Sequence, residues 1–161
     1  RQRQMCIRDR GNYVYPDNHG LFSETGEAAD IQTWPYTVKD TPFASDEYLR
    51  AWFQRNLVIL IGTQDTEPLK SSVLPTDPMR IQGLTRYERA WKFFNRSRDI
   101  ARKKNMEFNW IIMEVPGAGH SSGQMVFGQE RVRSQIINGN ERVYNLRDLT
   151  NKGAFSIIFE R

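Results

Sequence analysis

Cysteine and histidine are scarce in these 161 residues, and no long apolar run is present. The single Cys6 excludes an internal disulfide and leaves the redox compartment open. No stretch approaches the roughly 18 apolar residues of a membrane-spanning helix. The longest, Leu57-Val58-Ile59-Leu60-Ile61, has the length of a buried strand. Histidine occurs only as His19 and His120, so imidazole chemistry has two addresses. Hydrophobic residues make up 39% and aromatics 12% of the chain, enough for one modest domain to fold around a core.

The net charge is +4, with a pI near 9.4, which invites a nucleic-acid reading. Most of that charge sits in RQRQMCIRDR, residues 1–10, where four arginines face one aspartate and leave only +1 for the remainder. This decapeptide has no apolar period and no capping logic. It resembles translated read-through from a sequencing adapter, so residues 1–10 are expected to be non-native and are set aside in reading the fold. With the start of the chain in doubt, localisation is not legible.

Residues 11–44 are aromatic and punctuated by Pro and Gly, and read as a long ordered loop with a strand end near Val14. Ser45 is an expected N-cap, followed by Asp46 and Glu47 in a favourable first turn and by an apolar stripe of Tyr48, Leu49, Trp52 and Phe53, which predicts a helix over 46–55. LVILIG, 57–62, predicts a strand buried on both faces. Residues 63–82 read as a polar loop. A second helix is expected over 84–104, with Leu84, Tyr87, Trp91, Phe94 and Ala101 near one face and basic residues opposite. Because the aromatics share one face and the charges take the other, this helix reads as one that packs on a sheet and not as an RNA-binding surface. FNWIIMEV, 108–115, predicts a second buried strand. Strand, helix and strand in this order form a βαβ unit of a parallel sheet. Beyond it, Met125, Phe127, Val132 and Ile136 allow a short helix, and ERVYNLRDL and AFSIIFER flank a possible hairpin turn at 151–153.

VPGAGHSSGQM, 115–125, holds two competing motifs. Gly119-His120-Ser121-Ser122-Gly123 fits G-x-S-x-G, the nucleophile elbow of serine hydrolases. An elbow needs its strand to end at the first glycine, yet Pro116-Gly117-Ala118 intervenes, and no histidine follows Ser121. In the other reading His120 is itself the reactive residue, carried on a glycine-rich turn after a buried strand. Asp65 occupies the corresponding loop after the first strand. In a parallel βαβ unit both loops emerge on the same sheet edge, where catalytic groups of α/β folds collect. Asp65 and His120 are thus expected to meet. Glu67 and Asp77 are rival acids in the same loop. His19 reads as an exposed turn residue, and Arg86, opposed to its helix dipole, as paired with a carboxylate such as Asp77.

GTQD (62–65), IQGLTR (81–86) and VPGAGH (115–120), with Tyr13-Val14-Tyr15 and Trp34-Pro35-Tyr36 before them, resemble the C-terminal half of the α/β-hydrolase fold, closest to its esterase-like and polyhydroxyalkanoate-depolymerase-like members. The resemblance covers about residues 11–127 and leaves 128–161 as a tail of unclear role. It implies an α/β fold, the C-terminal portion of a parallel sheet with flanking helices, truncated at the N-terminus. In that fold the chain order is Ser, acid, His, and Asp65 and His120 match the last two positions. It further implies hydrolysis of a small-molecule or polymeric carboxylic ester, with no cofactor and no nucleic-acid partner, by a parent protein whose serine elbow and oxyanion loop lie upstream. The alternative is a non-catalytic α/β interaction module or pseudo-enzyme. Oligomeric state is not legible.

Overall fold

The computed structural model describes residues 13–127, 131–137 and 140–146, the last two stretches by backbone alone. Residues 1–10 and the turn expected at 151–153 lie outside them. The chain divides into two compact units, Arg1–Ile59 with Thr66–Ile112, and Leu60–Asp65 with Met113–Arg161.

In the first unit, helix α1 spans Asp46–Phe53. The Ser45 hydroxyl accepts from the Tyr48 backbone N–H, as its cap position requires. Strand β1, Val58–Gly62, alternates half-buried and buried residues until its last pair. It therefore has one shielded face, not the two expected. A short helix α2, Pro78–Gln82, interrupts the expected loop. Asp77 caps it through a 2.8 Å bond from the Met79 N–H, and Pro78 supplies a prepared first residue.

Helix α3 spans Arg86–Lys103, with Thr85 as N-cap. The Thr85 hydroxyl accepts from the Glu88 N–H at 3.0 Å, and the Glu88 carboxylate accepts from the Leu84 N–H at 2.8 Å. These reciprocal bonds resemble a capping box. Partial desolvation opposes the charge on Glu88, but hydrogen bonds from Lys92 and Leu84 outweigh it and hold the carboxyl below its ordinary value. The buried face of α3 is Arg89, Ala90, Phe93, Phe94, Ser97 and Ala101. The expected stripe was offset from it. Leu84 lies before the helix and is exposed, and Trp91 is only half-buried. The small Ala90, Ser97 and Ala101 are among its buried residues, so sheer side-chain size did not mark the packed face.

An aromatic cluster forms the core of this unit. Phe53 from α1 sits 5.5 Å from both Phe108 and Trp110. Phe93 and Phe94 of α3 approach Trp110 and Phe108 at 5.6 Å. Each such pair contributes about 0.5–1.5 kcal/mol beyond its buried area. Trp110 also donates its indole N–H to the Trp52 carbonyl at 3.1 Å. The long aromatic loop is anchored to the same helix. Tyr13 stacks on Phe93 at 4.7 Å, and Tyr15 meets that ring edge-on. The wholly buried Gln82 exchanges two bonds with the Tyr13 backbone, and Asp17 pairs with Arg96.

Strand β2 spans Ile111–Val115 and pairs with β1. The Ile111 N–H donates to Leu57 O at one end, and the Thr63 N–H to Val115 O at the other. Both partners advance together, so the strands are parallel and, with α3 between them in sequence, complete the expected βαβ order. β2 is not buried as expected: Ile111 is 41% exposed. Among the described residues this sheet has two strands, which leaves each with one paired edge.

In the second unit, helix α4 covers Ser122–Phe127. The expected helix stops there, because Val132 and Ile136 belong to strand β3, Arg131–Ile137. It pairs antiparallel with β4, Asn140–Leu146, in a register running from Arg131 opposite Leu146 to Ile137 opposite Asn140. Within ERVYNLRDL the described residues 141–146 form a strand, as expected, but its described partner precedes it.

Candidate active site

Each strand of the parallel pair ends in a tight turn. After β1, the Asp65 N–H returns to Gly62 O at 3.1 Å. After β2, the Ala118 N–H returns to Val115 O at 3.3 Å. Pro116 and Gly117 occupy the middle of that second turn, and Gly117 has φ +72°. Proline followed by glycine at positive φ is the residue pattern of a type II turn.

The two turns are stitched together. The Thr63 N–H donates to Val115 O at 3.2 Å and the Gln64 N–H to Ala118 O at 2.8 Å. The Gly117 N–H donates to the Thr63 hydroxyl, also at 2.8 Å. Backbone approaches backbone so closely at Gly62 that a Cβ there would lie 2.2 Å from Ala118 O. On the far side of His120, the Gly119 N–H donates to the Gln124 side-chain oxygen at 2.9 Å.

At the end of this arrangement Asp65 Oδ2 lies 3.2 Å from His120 Nδ1, although 55 residues separate them in sequence. The Asp65 side chain is 9% exposed and that of His120 is 44% exposed. The carboxylate is therefore shielded while the imidazole remains reachable. A carboxylate at Nδ1 favours the tautomer whose proton sits on Nδ1, which leaves the Nε2 lone pair available to accept a proton.

The other candidates stand elsewhere. Glu67 is exposed, and Asp77 is engaged as the cap of α2. His19 is exposed, and its N–H donates to Asp17 Oδ1 at 2.9 Å, a turn contact. Ser121 is exposed, and its carbonyl accepts from the Met125 N–H at the start of α4. A nucleophile elbow holds its serine in a strained backbone conformation. Among the described residues, the only non-glycine positions at positive φ are Asp40 and Asn105. Ser121 thus lacks the elbow geometry. Sequence reasoning quoted Gly62, Thr63 and Gln124 only within the GTQD and VPGAGHSSGQM stretches and gave none of them a role. Only the glycine carried a signal, as a residue without Cβ at a strand end.

No family model matches the chain, and no curated protein sequence matches it. Solved structures that resemble it include two hydrolases. LpqC, a poly(3-hydroxybutyrate) depolymerase from Bordetella parapertussis, aligns with a TM-score of 0.53 at 23% identity, over 68% of this chain and 33% of its own. Poly(aspartic acid) hydrolase-1 from Sphingomonas sp. KT-1 aligns with a TM-score of 0.55 at 30% identity, over 69% of this chain and 37% of its own. The chain therefore spans about a third of the length of the solved structures it resembles. Both are α/β-hydrolase-type enzymes, and about two thirds of this chain carries a hydrolase-like fold.

Proposed function

We propose that this chain supplies the acid and the histidine of a serine hydrolase that cleaves carboxylic esters, with Asp65 and His120 in those roles. The observation that carries the reading is the 3.2 Å contact between Asp65 and His120 at the ends of two parallel strands. In this reading the nucleophilic serine comes from sequence beyond these 161 residues. The serine hydroxyl loses its proton to His120 Nε2 as its oxygen adds to the ester carbonyl. Asp65 holds the imidazole in register and stabilises the imidazolium. The tetrahedral adduct collapses, His120 returns the proton to the leaving alkoxide, and the alcohol departs. Water then repeats the sequence on the acyl-enzyme, releasing the acid and restoring the serine. The names of the two structural relatives favour a polymeric substrate, an ester for one and an amide for the other, and the first of them favours the ester.

The test is hydrolysis of a nitrophenyl ester and of poly(3-hydroxybutyrate) by the complete product of the gene. Asp65→Asn is expected to lower kcat by about 10,000-fold through the wrong imidazole tautomer. His120→Ala should be at least as damaging, and Ser121→Ala should leave turnover unchanged. Turnover that survives His120→Ala, or that disappears with Ser121→Ala, would overturn the assignment.

A further inference from the structure

We propose that Thr63 is the positioning residue of the Asp65–His120 pair, its hydroxyl setting the spacing between the turns that carry the two side chains. The inference rests on the reading of Asp65 as acid and His120 as base. Three hydrogen bonds cross between the turns, and two of them join backbone to backbone. The third, from the Gly117 N–H to the Thr63 hydroxyl at 2.8 Å, is the only one of these three that a side chain supplies. It lies between the other two along the seam. Asp65 is two residues beyond Thr63, and His120 is three beyond Gly117, so a change at this bond moves both partners. Gly117, at φ +72°, is the third residue of a turn whose own bond runs from the Ala118 N–H to Val115 O, and its N–H donates outside that turn, to Thr63. The Thr63 oxygen satisfies a donor that would otherwise have to turn toward water, and the turn would rotate with it. A contact of 3.2 Å has little slack before it ceases to be a hydrogen bond.

The chain has only two histidines, which makes the test direct. The full 161-residue chain, labelled with 15N, is examined by NMR for the His120 Nδ1–H cross-peak and the tautomer shifts of both ring nitrogens. His120→Ala assigns the signals, and the exposed His19 serves as an internal reference. Wild type is expected to show the Nδ1–H tautomer at His120 with slow proton exchange. Thr63→Val keeps the shape and removes the oxygen. It should raise the exchange rate about fivefold or more, the equilibrium worth of one ordinary hydrogen bond, and shift His120 away from the Nδ1–H tautomer. Thr63→Ser restores the oxygen and should restore the signature. A merely structural hydroxyl would lower the melting temperature in Thr63→Val and leave the His120 tautomer intact, which would overturn the proposal. Absence of the signature in wild type would overturn it as well. If Thr63→Val fails to fold, Thr63→Ala is judged by the same two criteria. The two readings fail separately. An intact NMR response with turnover indifferent to His120→Ala removes the catalytic role alone, whereas an unresponsive Thr63→Val with the expected kinetics removes the positioning role alone.

Discussion

Gly62→Ala should damage both the fold and the site, and the structure sets the size of the effect. A Cβ at position 62 would lie 2.2 Å from Ala118 O, 2.8 Å from Ala118 C and 3.1 Å from Gly119 O. Carbon and oxygen meet comfortably near about 3.3 Å, so the overlap with Ala118 O is about 1 Å. All three obstructing atoms are backbone, and no side chain can swing aside. Relief requires the two turns to separate by about that distance. The Gln64–Ala118 and Thr63–Val115 bonds, now 2.8 and 3.2 Å, would then pass out of hydrogen-bonding range. Two or three lost bonds at about 1 kcal/mol each give a cost of about 2–3 kcal/mol. Retaining the bonds and absorbing the crowding costs about the same, 1–3 kcal/mol. For a chain of this length that corresponds to a fall in Tm of about 4–12 °C. The same separation would carry Asp65 and His120 apart. Thermal unfolding followed by circular dichroism measures the first effect, and the His120 Nδ1–H resonance the second. Gly123→Ala is the control. Its Cβ would meet only the Ser121 hydroxyl, at 3.8 Å, and in a helix it should be neutral or slightly stabilising. A Gly62→Ala protein that melts within about 1 °C of wild type, with an unchanged His120 signal, would refute the close-approach argument.

Two further outcomes concern the loop that precedes α1. Asp17 is 6% exposed and accepts from the His19 N–H and from two nitrogens of Arg96, so Asp17→Ala leaves that guanidinium without its carboxylate. Because the Arg96 side chain is 38% exposed and water screens it, the cost in urea unfolding should be about 1–3 kcal/mol, below that of a fully buried pair; no measurable change would show that the loop is held by its aromatic contacts alone. Burial pushes the Tyr15 phenol well above its ordinary value of 10.0, with the neighbouring Arg96 opposing only in part. A folded-state value raised in this way means that the neutral phenol's stabilisation is complete below pH 10 and is lost as pH climbs beyond it. Alkaline unfolding should therefore begin above about pH 10 and be blunted by Tyr15→Phe, and an identical alkaline limb in the two proteins would contradict the assignment.

The local chemistry of the chain determined its elements and the residue types of its site. Ser45 with Asp46 and Glu47 marked the start of α1, and the apolar runs at 57–62 and 108–115 marked the two strands, because capping and periodicity act over a few residues and need no distant partner. The order strand, helix, strand made a parallel pairing the expected arrangement, and that in turn pointed Asp65 and His120 to one edge. Elsewhere local signals were present and were outweighed. Asp77-Pro78 is a cap followed by a prepared first residue, and it begins a helix where the polar composition suggested a loop. Asn138-Gly139, between the residues of β3 and β4, is the sequence pattern of a two-residue hairpin connection, yet the apolar spacing of Met125, Phe127, Val132 and Ile136 fits a helical period as well.

Sequence order favoured Asp65 as the partner of His120 but left Glu67 and Asp77 as rivals in the same loop, and only the tertiary structure separated the three, by what surrounds each. Asp77 is taken by the N-H of Met79, Glu67 stands in solvent, and Asp65 ends a turn that three cross-turn hydrogen bonds tie to the turn before His120. The packed face of α3 was likewise settled by its neighbours, since Tyr13, Tyr15 and Trp110 all converge on Phe93, which the helical stripe did not single out. Contacts between residues 55 positions apart depend on how two strand ends are spaced in three dimensions, and that spacing is set by a missing Cβ at Gly62 and a hydroxyl at Thr63 whose partners are invisible along the chain.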